Sequence, residues 1–475
     1  MDLKELCTAL SEKKISAVEV TKHYINNSVN AEESIGAYIT PCFDSALKKA
    51  EQTDKMRMAG ERLSPLAGVP YGVKDNISTK GIKTTCASKM LENYVPPFDA
   101  EVITRLADCI ILGKTNMDEF GMGSGCENSY FGKTRNPRNP EFVPGGSSGG
   151  SAAGVAAGEF PFALGSDTGG SVRLPSAFCG VSAIRPTYGR VSRFGLVSFA
   201  SSMDQIGIIA PKIYDLAMVL TEISGADEKD STSAKVGVPD FSDGIKDGIK
   251  GMKIAVIKEL SEGVSGDSAS TLQRAAAEFI GCGAVVEEIS IKNLEYALAA
   301  YYIISSAEVS SNLARFDGVR FGRRCDNFSD LDDMYKKSRS EGFGIEAKRR
   351  IMLGTFVLSR GYYDRYYEKA QAVRECISAA FGGAFKKFDC ILAPASIGGA
   401  YKAGIKYDDP TDIYKEDFLN VPASLAGLPS VVVPVLKNKS GLPLAVQIIG
   451  RKFDEKTILR AADTLEGAVN FEQCV

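Results

Sequence analysis

Three short stretches carry side chains that could do acyl-transfer chemistry. PGGSSGGSAAG (144–154) sets serines among glycines, GSDTGGS (165–171) does so again, and GVPYGVKDN (68–76) ends an apolar run on Lys74. As a phosphate loop the first stretch would need a lysine and a Ser/Thr after its second glycine. Gly150 is followed instead by Ser151 and Ala152, which rules that chemistry out. Gly145–Gly149 fits the G-x-S-x-G hydrolase elbow literally, but that elbow needs a histidine base later in the chain. The chain has one histidine, His23, upstream on an amphipathic helical stretch. Ser-His-Asp and Cys-His triads therefore both fail.

A lysine can serve as the base if burial lowers its pKa enough for neutral amine to exist near pH 7. Lys74 has the setting for this, with Gly68 and Gly72 before it and no acidic residue preceding. If its strand continues, Asp75 points to the opposite face and need not neutralise it. In GSDTGGS, successive amides of a glycine turn can aim at one developing oxyanion beside Ser171. Taken singly, each feature has a plainer reading: Lys74 as an exposed strand end, the turn as structural, and Ser11–Lys14 as an incidental S-x-x-K.

The elements that must position these groups are legible as alternation. LKELCTAL and AVEVTKHYINN place apolar residues at helical spacing, and residues 1–60 are predicted helical. From Pro65 to about Ala210, GVPYGVKDN, DCIILGKTN and PFALGSDTGGS read as buried strands followed by glycine turns. AEVITRLAD and SAAGVAAGE are the helices between them. Such alternation predicts an α/β sandwich around a mostly parallel sheet, with the site at strand C-terminal ends. A polar stretch (226–251) precedes MKIAVIKEL, a further strand. Residues 265–385 read as a mainly helical insertion, and 386–475 return to the sheet through DCILAPAS, LPSVVVPVL and LAVQIIG.

Composition bounds the partners. The chain has 475 residues, 44% hydrophobic and 24% charged, with 56 basic against 59 acidic side chains, net −3. At about 150 residues per domain the length alone suggests three domains, but strand sequence at both ends fits one sheet. No segment is basic enough to be an electrostatic footprint for nucleic acid. The eleven cysteines are irregularly spaced and form no C-x-x-C, which predicts free thiols, no zinc site and a cytoplasmic setting. MDLKELCTALSEKK lacks the apolar core of a secretory signal, and no apolar run is long enough for a membrane span.

Lys74, GGSSGGSAAG and GSDTGGSVRLPSAFCG, in that order, resemble the amidase signature family. The resemblance implies one domain over 1–475, with signature core 61–210, and an α/β/α sandwich whose large mixed, mostly parallel sheet is covered by helices. It implies Ser171 as acyl-forming nucleophile, Ser147 as a bridging serine on a cis peptide, and Lys74 as base. The amides of Thr168, Gly169 and Gly170, with that of Ser171, would form the oxyanion hole. Within the family, PTYGRVSRFGLVSFASSMDQIG (186–207), SSAEVSSNLARFDGVRFG (305–322), KRRIMLGTFVLSRGYYDRYY (348–367) and DFLNVPASLAGLPSVVVP (417–434) resemble the glutaminase subunits of tRNA-dependent amidotransferases.

That likeness implies a chain that hydrolyses glutamine and passes ammonia on for amidation of Glu-tRNA(Gln) or Asp-tRNA(Asn). It implies B and C partner subunits, tRNA held through the partner, no membrane, and no metal or cofactor on this chain, with ATP and Mg on the partner. Glutamine is a zwitterion, so its site needs a cation for the α-carboxylate and an anion for the α-ammonium. The resemblance points to Arg350 (or its neighbour Arg349) and Asp417 for these, with Tyr302 and Ser124 lining the pocket. Two segments depart from the family pattern: Gly125-Cys126 stands where Ser-Thr is usual, and ILAPASIGGAYKAG is less proline-rich. A stand-alone amidase for another small amide is the alternative enzyme. An inactive scaffold is the third reading, against which the intact Lys74, Ser147 and Ser171 speak.

Overall fold

Every residue of PYGVK, ALGSD and QIGIIA is buried, the mark of strands covered on both faces. A computed structural model of the chain describes residues 1–405, 409 and 412–471. Its strands are β1 Tyr38–Pro41, β2 Pro70–Lys74, β3 Ile110–Thr115, β4 Ala163–Asp167, β5 Ser182–Arg185, β6 Gln205–Ala210, β7 Lys253–Ile257, β8 Val285–Ile289, β9 Cys390–Pro394, β10 Ser430–Lys437 and β11 Pro443–Gly450. Among the described residues they form one 11-stranded sheet in the order β1-β3-β2-β4-β6-β5-β10-β11-β9-β7-β8.

The sheet is mixed, as expected, but it is not mostly parallel. Only β2–β3, β2–β4, β7–β8 and β7–β9 run parallel. The other neighbours, β1–β3, β4–β6, β5–β6, β5–β10, β10–β11 and β9–β11, are antiparallel. The reason is in the connections. Parallel neighbours need a crossover, whereas β10 and β11 are joined by a tight turn at Asn438–Leu442 and must be antiparallel. Helix-strand alternation reveals the crossovers and says nothing about such direct returns.

The predicted N-terminal helices are present as Leu3–Ser11, Ala17–Ile35 and Phe43–Met58. Asp2 with Glu5, and Ser16 with Glu19, close capping boxes on the first two. Residues 1–60 are not wholly helical, however: YITP is an edge strand paired to β3, too short to carry a periodic signal. The 265–385 segment contributes helices Gly266–Gly281, Ala297–Asn312, Leu331–Gly342, Ile345–Val357 and Glu368–Ala384, with β8 among them. Ala297–Asn312 packs on both Ile345–Val357 and Glu368–Ala384. One apolar core joins the N-terminal helices to the sheet, and a second, rich in Phe and Tyr, lies beneath the 297–384 helices. The ten cysteines from Cys7 to Cys390 are free thiols; Cys474 lies outside the described residues. Among the described residues no helix is long and apolar enough to cross a membrane.

Candidate active site

Lys74 ends β2, and its parallel neighbour β4 ends at Asp167, so the lysine and the 168–171 turn emerge at one edge of the sheet. The Lys74 side chain is completely buried. Its Nζ donates to Ser147 Oγ at 2.8 Å, Ser148 Oγ at 2.8 Å and the Ser166 carbonyl at 3.1 Å. Burial pushes its pKa down to about 7, against the opposing pull of Asp118 and Cys126. Asp75 is engaged elsewhere: it lies 3.5 Å from buried Lys114 and accepts from the Thr85 amide and hydroxyl.

The peptide bond Gly146–Ser147 is cis. Gly146 is required by close approach, because a Cβ there would fall 2.0 Å from Asp118 Oδ2 and 2.9 Å from the amides of Gly125 and Cys126. The Ser148 amide donates to the Ser171 carbonyl at 2.9 Å, tying the two glycine-serine turns together before the helix Gly149–Ala156 begins.

The Ser171 turn is built around Asp167. Its carboxylate accepts from Arg173 Nε (3.0 Å) and Nη2 (3.0 Å), Arg185 Nη1 (3.1 Å) and the Gly170 and Val172 amides (3.0 and 3.2 Å). Burial opposes its charge, but Arg173 and Arg185 outweigh that and hold the carboxyl well below the usual range. Thr168 Oγ1 donates to Asp204 at 2.6 Å. The bond to Asp167 takes the Gly170 amide out of the expected oxyanion donors. The amides of Thr168, Gly169 and Ser171 have no acceptor among the described residues.

A second cluster stands beside this turn. Tyr301 abuts Gly169, where a Cβ would lie 2.5 Å from its ring, and meets Tyr302 edge-on at 5.1 Å. Tyr302 stacks on Tyr414 at 4.1 Å, and the Arg350 guanidinium sits over both rings at 4.4 and 4.6 Å. One turn earlier on the same helix, Glu346 accepts from Arg350 Nε at 2.7 Å and from Tyr414 at 2.7 Å. Burial works against the Arg350 charge, but Tyr302 and Glu346 more than offset it and raise its pKa. Asp417 accepts from Tyr302 at 2.5 Å and Ser124 at 2.9 Å; burial lifts its pKa to about 6. Arg350 Nη1 is buried without a hydrogen-bond partner among the described residues. Arg349, by contrast, is 40% exposed and pairs with Glu346, so Arg350 is the arginine inside.

All four residues expected around a zwitterion thus meet: Arg350, Asp417, Tyr302 and Ser124. Sequence reasoning missed Ser148, Asp118, Asp167, Arg173, Arg185, Glu346 and Tyr414. Ser148, Asp167 and Arg173 lay inside the quoted motifs, and Glu346 stands at the i,i+4 spacing that pairs with Arg350. Tyr414 carried no local signal.

The departures from the family pattern have local partners. A Cβ at Gly125 would lie 2.7 Å from the Tyr401 hydroxyl. Cys126, at φ +59°, is packed against Gly149 and donates its amide to Asp118 at 2.9 Å. His23 is exposed on its helix beside Asn27 and takes no part in the site. A cleft of about 470 Å³ lined by Leu91, Tyr94, Phe98 and Phe316 shares no residue with either cluster. Among the described residues no group of three or more His, Cys, Asp or Glu could hold a metal ion.

A buried lysine bonded to two serines of a glycine turn, with a third serine on a facing turn of the same sheet edge, is an arrangement for cleaving amides. The chain belongs to the amidase family, whose model, described as Amidase, matches residues 19–459. The A subunit of glutamyl-tRNA(Gln) amidotransferase from Geobacillus kaustophilus (strain HTA426) is 52% identical over 474 residues, spanning 99% of this chain and 98% of that protein. Its counterpart from Agathobacter rectalis is likewise 52% identical over 474 residues, 98% of this chain and 94% of that protein. The crystal structure of the Thermotoga maritima glutamyl-tRNA(Gln) amidotransferase A chain superposes with a TM-score of 0.81 at 39% identity, covering 98% of this chain and 94% of that one.

Proposed function

We propose that this chain is the glutaminase subunit of a tRNA-dependent amidotransferase, working through Lys74, Ser147 and Ser171. The observation that carries the reading is Lys74: a lysine sealed from water, bonded to Ser147 and Ser148, with a pKa near 7. Neutral Lys74 takes the Ser147 proton while Ser147 takes that of Ser171, whose oxygen attacks the substrate carboxamide. The Thr168, Gly169 and Ser171 amides receive the developing oxyanion. The relay then returns the proton to the departing nitrogen, ammonia leaves, and water cleaves the acyl-enzyme.

The second cluster supports glutamine as the amide. Arg350 Nη1, which has no partner among the described residues, offers a buried donor to the α-carboxylate, and Asp417 offers an anion to the α-ammonium. That the relatives are each one component of an amidotransferase supports a partnered enzyme. Ammonia would pass to a B subunit that binds ATP and Mg and amidates Glu-tRNA(Gln), or Asp-tRNA(Asn) by the same chemistry. A C subunit would complete the assembly. The net charge of −3 suits a component that leaves the polyanion to its partner.

Glutamine hydrolysis by the purified assembly tests this. Lys74→Ala should remove turnover by at least about 10³-fold while the circular dichroism spectrum stays unchanged. Arg350→Ala should raise KM for glutamine by about 10²-fold, the loss of one buried charged hydrogen-bonded contact. Turnover of aryl or fatty amides by the lone chain, with none of glutamine, would replace this reading by the stand-alone amidase.

A further inference from the structure

Two consecutive buried carboxylates, Asp118 and Glu119, take no part in the relay, yet each reaches one side of the zwitterion cluster. Asp118 gathers the loop after it, accepting the amides of Cys126 (2.9 Å), Glu127 (3.0 Å) and Asn128 (3.1 Å). That loop carries Ser124, a donor to Asp417. Glu119 reaches the other way. Its Oε2 accepts the Gly344 amide at 2.8 Å and its Oε1 accepts the Ser88 hydroxyl at 2.5 Å. Gly344 is the N-cap of the helix Ile345–Val357 and has no side chain with which to cap it. The fit is close, since a Cβ on Gly344 would lie 2.5 Å from Glu119 Oε2. Phe120, the next residue, packs on Phe343 at 5.7 Å and secures the same junction.

We propose that Glu119 is a positioning residue: by clamping Gly344 it sets the start of the helix that carries Glu346 and Arg350, and so places the guanidinium that receives the substrate's α-carboxylate. The inference rests on the reading of Arg350 given above. Arg350 lies within two turns of the clamp, so a shift of the first turn is carried to its guanidinium along a rigid element. A buried carboxylate is a costly way merely to fill space, and burial raises the Glu119 pKa to about 7. Its two bonds tie the signature core to the helical segment.

The test is steady-state glutaminase kinetics on the full chain with its partners. Glu119→Ala should raise KM for glutamine about tenfold with kcat held within about threefold. Labelling of Ser171 by a small sulfonyl fluoride, which has no α-carboxylate, should be unchanged. Glu119→Gln should restore KM to within about threefold of wild type. Its amide oxygen can accept from Gly344 and its NH₂ can donate to Ser88 Oγ, whose proton has the Gly342 carbonyl at 3.3 Å. Gly344→Ala probes the clamp from the helix side and should raise KM likewise, which keeps the proposal open to refutation if Glu119→Ala does not fold. Wild-type KM in Glu119→Ala or in Gly344→Ala, or a parallel loss of kcat and labelling, overturns it. Arg350→Ala is measured alongside: unchanged KM there removes the glutamine-site reading itself, whereas a raised KM there with none in Glu119→Ala removes only the role of Glu119.

Discussion

At the scale of single residues, the proposed relay turns on the protonation state of Lys74. Burial lowers its pKa from 10.5 to about 7, so the amine is cationic and useless as a base in acid and neutral above. We therefore expect kcat/KM for glutamine to fall about tenfold per pH unit below pH 7 and to level off above about pH 8. A stopped-assay pH profile checks this, and a flat profile from pH 5 to 8 would remove Lys74 as the base. Lys74→Arg should be inactive across that whole range, because a guanidinium keeps its proton at any accessible pH. Asp417, with its pKa raised to about 6, adds a separate effect: KM should rise as pH drops below 6 and the α-ammonium loses its anion. The single histidine made a lysine base worth weighing in the sequence, and the resemblance then pointed to Lys74, Ser147 and Ser171 as the proposed relay. That Lys74 touches Ser148 as well as Ser147 was not legible there, because adjacent serines look alike until the backbone aims them.

At the scale of elements, the turn between β4 and the helix Arg173–Cys179 depends on Asp167 held between two buried arginines. Removing the shared anion leaves two guanidinia in the interior without compensation. Asp167→Ala should cost about 3–5 kcal/mol of stability, read as a shift in urea midpoint, and should lower activity by loosening the Thr168–Ser171 turn. Gly146→Ala is a sharper disruption: its Cβ would fall on Asp118 Oδ2, so the loop bearing Ser147 cannot close. It should abolish acylation, seen as loss of sulfonyl fluoride labelling. The glycine spacing advertised these turns. The antiparallel centre of the sheet went unread, because strand direction depends on how the chain returns and leaves no periodic trace in the strand itself.

At the scale of the whole molecule, β2 and β4 bring Lys74 to the Ser171 turn, and the 297–384 helices close over that edge with Tyr302 and Arg350. The proposed site therefore needs the signature core and the helical segment docked together, and the second aromatic core supplies that docking. No disulfide contributes among the described residues, so 5 mM dithiothreitol should leave the thermal midpoint within about 1 °C. Differential scanning fluorimetry checks it. Robust co-purification with partner subunits is the corresponding expectation for the assembly.

Glycine and serine motifs, a lone histidine and an apolar run ending in lysine already exclude histidine-based triads, and their order carries the resemblance that points to Lys74, because these groups are short-range in sequence and few in kind. The zwitterion cluster is different. Ser124, Tyr302, Glu346, Arg350, Tyr414 and Asp417 are scattered along the chain, and apart from the i,i+4 pair Glu346–Arg350 no spacing rule connects them. Arg350 differs from Arg349 only in which face of a helix it occupies, and Glu119 gains its partner Gly344 only when distant segments meet. Burial, ring stacking and a satisfied or unsatisfied donor are properties of the folded neighbourhood, so they exist only once the chain has closed on itself.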